Sequence, residues 1–66
     1  MSIGRNLTML MYDRGITQAQ LAKEVGISKT SINYIVRGTR QPQIETLNKL
    51  TQFFGVTMDE LINGKD

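Results

Sequence analysis

The chain has no cysteine, no histidine, no tryptophan and a single proline. The first two absences each remove a class of chemistry. Without cysteine there is no disulfide and no thiolate metal ligand, and nothing ties the chain to an oxidising compartment. Without histidine, the side chain that titrates near neutral pH and the commonest metal ligand are both missing. Catalysis would fall to the carboxylates, and these show no convergent pair. Asp59 and Glu60 are sequence neighbours, but acids in the first turn of a helix already have a sufficient role against the helix macrodipole. No nucleophile–base set and no phosphate-cradling glycine loop is present. No enzyme, cofactor, metal site or small-molecule ligand is therefore expected. No apolar run approaches the length that spans a bilayer, and the N-terminus lacks the apolar core of a signal peptide. An intracellular, soluble chain with no membrane partner is expected.

Sixty-six residues allow one domain, taken here as 1–66. A chain this short buries a modest fraction of its surface, so its stability depends on good packing or on a partner. Its Leu, Ile, Met, Gln and Lys residues, with almost no proline, suit an all-α fold.

The most informative stretch runs from Thr17 to Gly38, TQAQLAKEVGISKTSINYIVRG. Thr17 and Gln20 have capping-box spacing, and Ile16 and Leu21 have hydrophobic-staple spacing. Leu21, Ala22 and Val25 share one helical face. Gly26 follows where a left-handed C-terminal position favours glycine. Ser28 then caps a second helix, with Ile27 and Ile32 at staple spacing. Helices joined this tightly must cross steeply, as in a helix-turn-helix. Ala22 leaves room for the second helix to approach.

At ~100° per residue the second helix separates into two faces. Ile32, Ile35 and Val36 form a core face together with the cap Ser28. Lys29, Thr30, Asn33, Tyr34 and Arg37 form a polar, basic one. Such side chains match base edges: lysine donates to guanine O6 and N7, asparagine pairs with adenine N6 and N7, and a threonine methyl packs on the thymine methyl. The simpler reading of such a face is a solvated surface. The capped preceding helix, the Gly26 turn and the local charge favour the DNA reading. The net charge is only +2, but no acid lies between Glu24 and Glu45, where Lys29, Arg37 and Arg40 fall. Beyond Glu45 the acids Asp59, Glu60 and Asp66 outnumber Lys49 and Lys65. One end should carry the positive potential that a phosphate-facing surface needs.

The rest of the chain reads as further helices. Ile3 to Asp13 is the first, with Ser2 as cap, Ile3, Leu7, Leu10 and Met11 at helical spacing, and Gly15 as stop. Met1, Met9 and Met11 are expected to fill core gaps. Arg5 and Arg14 have the reach to touch phosphates, though an exposed arginine needs only water. After Gly38 comes a polar, basic loop stiffened by Pro42. Gln43 to Phe54 is the fourth helix, with Ile44, Leu47, Leu50 and Phe54 as its apolar stripe and Gln43 as a poor cap. Phe53 and Phe54 are read as core rather than as a stacking platform, with Phe53 able to reach a partner subunit. Gly55 stops this helix. Thr57 and Glu60 form a second capping box, with Val56 and Leu61 at staple spacing, and open the fifth helix. Asn63 to Asp66 is an exit and tail.

The ordered set Thr17-Gln18, Leu21-Ala22, Val25-Gly26-Ile27-Ser28, Ile32 and Gly38, followed by Pro42, Thr46-Leu47, Leu50 and Gly55-Val56-Thr57, resembles the lambdoid phage repressor and Cro family over roughly residues 3–62. That resemblance implies a compact five-helix, lambda-repressor-like DNA-binding domain whose helix-turn-helix covers about 17–38. It implies a sequence-specific transcriptional regulator, a repressor, binding double-stranded operator DNA as a homodimer on a pseudo-palindrome, with residues 28–37 in the major groove. Lys29, Thr30 and Asn33 become the leading base-contact candidates, followed by Ser28 and Tyr34. Gln18, Arg37, Thr39 and Arg40 become phosphate contacts. Pro42, Phe53, Val56, Thr57, Met58 and Ile62 mark the expected dimer surface. The expected setting is the cytoplasm of a bacterium or a phage-infected cell.

One departure is informative. Family members often pair an arginine in the first helix with a glutamate near the end of the recognition helix. Here the matching positions are Met11 and Val36, and these are expected to pack together. Replacing both partners of a buried ion pair by apolar groups strands no charge. Other readings stay open on the same fold: an antitoxin or other protein-interaction module, and a restriction–modification controller protein.

Overall fold

The computed structural model describes residues 3–64. Met1, the expected Ser2 cap and the tail residues Lys65 and Asp66 lie outside the described residues. Five helices follow in order: α1 Ile3–Arg14, α2 Gln18–Val25, α3 Lys29–Arg37, α4 Ile44–Phe54 and α5 Met58–Asn63. No strand occurs among the described residues. The all-α, five-helix expectation therefore holds, and α1 runs one residue further than the spacing of its apolar positions suggested.

The helix starts are set by local hydrogen bonds. At α2 the Thr17 hydroxyl accepts from the Gln20 N–H at 3.1 Å, and Gln20 Oε1 accepts from the Thr17 N–H at 2.8 Å. The Thr57–Glu60 box at α5 has the same reciprocal pair, at 3.0 and 2.8 Å. Each box satisfies two backbone donors that a helix start leaves unpaired. Gln43 sits in the N-cap position of α4 and makes no side-chain capping bond, as its residue type predicts.

The helices close on a single cluster. The largest fully buried side chains are Leu7, Leu21, Ile32, Leu50 and Leu61, one from each helix. Each helix thus inserts one branched aliphatic side chain where all five meet. Truncating any of them to alanine should cost about 2–5 kcal/mol. α1 packs chiefly on α3 and α5, and α2 on α3 and α4. Thr51 is the one buried polar residue among those described, and its hydroxyl donates to the Asn48 carbonyl at 2.8 Å. Met11 is buried, and Val36 packs half-buried against the same cluster. Met11 thus belongs to the apolar core and Val36 to its edge.

Two expected core positions face solvent instead. Met9 is 54 % exposed and Ile44 is 65 % exposed. Met9 lies ~160° around α1 from Leu7 and Met11, on the opposite face, whereas Ile44 lies at the edge of the α4 stripe, where spacing alone does not say whether a neighbour is present. Ile44 opens the first turn of α4, before that helix reaches the core at Leu47 and Leu50. Asn6, not marked by its spacing, ties α1 to α5. Its side-chain amide donates to the Leu61 carbonyl at 2.8 Å and to the Ile62 carbonyl at 3.2 Å. These are end-of-helix carbonyls that lack an intrahelical partner.

Candidate nucleic-acid interface

α2 and α3 are joined by a turn only a few residues long. The Gly26 and Ile27 N–H groups both donate to the Ala22 carbonyl, at 2.9 and 3.1 Å. Gly26 has φ of 79°, the left-handed region that glycine enters without steric cost. Ser28 then restarts the helix: its hydroxyl accepts from the Ser31 N–H at 3.1 Å. Ala22 and Leu21 are buried beneath α3, and Ile32 and Ile35 anchor α3 from its inner side.

This anchoring leaves the opposite face of α3 outward. Lys29, Thr30 and Arg37 are exposed, and Asn33 and Tyr34 are half-buried. The structure thus brings together the leading base-contact candidates Lys29, Thr30 and Asn33 on one surface. Ser28 is at the same end, but its hydroxyl is already engaged. It serves as the cap and donates to Ser31 Oγ at 3.0 Å. Ser31 completes this pair and was not singled out from the sequence. Its position three residues after the cap was the available signal.

Gln18, the first residue of α2, meets α3 directly. The Asn33 side-chain amide donates to Gln18 Oε1 at 3.3 Å. The bond uses one Asn33 donor and the Gln18 acceptor. The two Gln18 N–H donors are the part suited to an anion at a helix N-terminus.

The loop after α3 folds back on its last turn. Gly38 is left-handed, with φ of 70°, and its N–H donates to the Ile35 and Tyr34 carbonyls. The Thr39 N–H and hydroxyl also donate to the Tyr34 carbonyl, at 3.1 and 3.5 Å. The Arg40 guanidinium lies 4.6 Å from the centre of the Tyr34 ring. Thr39 and Arg40 are thereby held beside the outward face of α3, and both are exposed.

Arg14 belongs elsewhere. Its guanidinium lies 5.2 and 5.3 Å from the ring centres of Phe53 and Phe54 and donates to the Phe53 carbonyl at 3.3 Å. It fastens the end of α1 to the end of α4. Phe53 and Phe54 pack edge to face, at 5.0 Å and 84°.

The expected dimer residues divide between two places. Phe53, Val56 and Met58 pack half-buried against the core, and Ile62 is 36 % exposed on α5. Thr57 is exposed, with its hydroxyl in the capping box. Pro42 instead precedes α4, and lines a shallow depression with Ile3, Gly4, Ile35, Thr39 and Arg40. Phe53 lies near the far end of α4, roughly 13–14 Å from its first residue, Ile44, at the helical rise.

Two capped helices, a left-handed glycine turn and a second helix held by its inner face define a helix-turn-helix protein. Residues 10–61 match the helix-turn-helix family, and the chain belongs to it. Among similar solved structures is the P22 c2 repressor in complex with a synthetic operator in the presence of Tl+. It superposes with a TM-score of 0.89 over 98 % of both chains, at 28 % sequence identity. The transcriptional activator BcrR of Enterococcus faecalis is 35 % identical over all of this chain and 32 % of its own length. The cryptic phage CTXphi transcriptional repressor RstR of Vibrio cholerae is 32 % identical over 86 % of this chain and 51 % of its own length. The chain thus spans about a third of the length of the first of these relatives and about half of the second.

Proposed function

We propose that this chain is the DNA-reading unit of a transcriptional regulator, a repressor, with no catalytic role. The observation that carries this reading is the outward face of α3. It is polar and basic, lies in a segment free of acids, and is held rigidly on α2 and the core. In this reading α3 enters the major groove. Lys29, Thr30 and Asn33 meet base edges, and Ser28 and Tyr34 border them. Gln18, Arg37, Thr39 and Arg40 hold phosphates and so set register and affinity. The operator-bound P22 c2 repressor and the two regulators above support it by likeness.

One α3 reads only a few base pairs. The described residues measure 27 × 24 × 19 Å, less than the ~34 Å between half-sites one helical turn apart. Two copies on a pseudo-palindrome would cover both half-sites, joined through the surface of Phe53, Val56, Thr57, Met58 and Ile62, with Pro42 lying apart from it. Such a dimer represses by occluding a promoter. The activator among the relatives shows that related chains also serve activation.

The test is fluorescence anisotropy on random-sequence duplex DNA over a range of salt, followed by selection of a preferred site. The wild type should bind with a steep salt dependence. The double variant Lys29→Ala with Asn33→Ala should lose the selected site while keeping weaker general binding. No binding at low salt, with helical circular dichroism intact, would overturn the DNA reading and favour a protein-interaction module.

A further inference from the structure

Tyr34 stands among the side chains of the outward face, yet its carbonyl and its ring both meet the loop that follows. Its carbonyl accepts from Gly38, from the Thr39 N–H and from the Thr39 hydroxyl. Its ring lies under the Arg40 guanidinium, at 4.6 Å. One residue therefore gathers the reversal of the chain, Thr39 and Arg40. Tyr34 is half-buried, whereas Arg40 is exposed. An exposed arginine otherwise samples many rotamers, and ordering it against a phosphate costs conformational entropy. A guanidinium lying on an aromatic face keeps its N–H edge available for a phosphate oxygen while the face restricts its motion.

From this geometry we infer that Tyr34 is a positioning residue: it acts through Arg40 on the DNA backbone and does not read a base. The inference rests on the proposed docking of α3 and deepens it, since it assigns to one residue of that face a different task. It also makes affinity and base choice separable on a single helix. Lys29, Thr30 and Asn33 discriminate, and Tyr34 with Arg40 grips.

The experiment measures DNA affinity against salt for the wild type, Tyr34→Leu, Tyr34→Phe, Arg40→Ala and the pair Tyr34→Leu with Arg40→Ala. Leucine keeps apolar volume at position 34 but has no ring face, and phenylalanine keeps the face. Tyr34→Leu should weaken binding about 2–5-fold, the range of an exposed cation–π contact. It should do so equally on the selected site and on random duplex. It should also lower the slope of log affinity against log salt in the same direction as Arg40→Ala, which should lose about 0.9, one phosphate contact. Tyr34→Phe should behave as wild type. In the Arg40→Ala background, Tyr34→Leu should add nothing. A Tyr34→Leu protein with an unchanged salt slope and an altered site preference would overturn the inference and make Tyr34 a base reader. Additive losses in the double variant would overturn it as well. Thermal unfolding of each variant separates these outcomes from loss of fold. If wild-type protein shows no salt-dependent duplex binding, the DNA reading itself fails, a result distinct from the other two.

Discussion

Gly4 shows how one small residue sets the approach of α1 to α3. It is buried in the first turn of α1, and a Cβ placed on it would lie within 3.0 Å of the backbone oxygens of both Ile35 and Val36. These are carbonyls at the end of α3, not flexible side chains, so one helix must move. Gly4→Ala should therefore destabilise the protein even though alanine is the better helix former. We expect a loss of about 1–3 kcal/mol, as for overpacking elsewhere. Thermal unfolding should read this as a midpoint lower by roughly 4–8 °C per kcal/mol. An unchanged or raised midpoint would show that α1 and α3 separate without cost. Asn6 works similarly through a single side chain, since its amide satisfies two carbonyls of α5. In Asn6→Ala, hydrogen exchange in α5 should rise ahead of exchange in α2 and α3.

The helices differ in how well their ends are secured. α2 and α5 begin with complete capping boxes, whereas α4 begins at Gln43 with no side-chain capping bond. Substitutions at the two kinds of start should have opposite signs. Thr57→Ala removes an acceptor from the Glu60 N–H and should cost about 1 kcal/mol. Gln43→Ser supplies an acceptor where none acts and should stabilise by about 0.5–1 kcal/mol. Urea unfolding of both variants checks the pair. A loss of stability in Gln43→Ser would mean that the Gln43 side chain has a packing role at the start of α4. Arg14 secures an end differently, by lying over Phe53 and Phe54 at the close of α4.

For the molecule as a whole, the proposed function turns on one copy presenting one α3. If two copies share an operator through α5 and the end of α4, a charge at the exposed edge of that surface should separate pairing from reading. Ile62 suits the test because it is 36 % exposed and lies outside the buried cluster. Ile62→Glu should leave helical content and single half-site binding unchanged. Its affinity for a duplex with two half-sites should fall at least about 10-fold, as the gain from linked binding is lost. Equal loss on one and two half-sites would place the copy-to-copy contact elsewhere, with the depression beside Pro42 as the remaining candidate.

Much of this organisation was legible in the residues before any packing was known. The caps at Thr17, Ser28 and Thr57, the poor cap at Gln43, the turn at Gly26 and the two faces of α3 all follow from interactions within about four residues, or from helical periodicity. Such contacts depend on backbone geometry that every helix shares, so the order of residue types is enough to specify them. Arg14 and Phe53 lie 39 residues apart, and Asn6 and Leu61 lie 55 apart. Whether such pairs meet depends on the angles at which helices cross, which no local spacing encodes. The exposure of Ile44 has the same origin: periodicity assigns a residue to the edge of a stripe, and only a neighbouring helix can bury it. The reading surface combines both kinds of information. Its chemistry is written along α3, while the stack of Arg40 on Tyr34 and the Asn33–Gln18 bond exist because the folded chain returns to that helix.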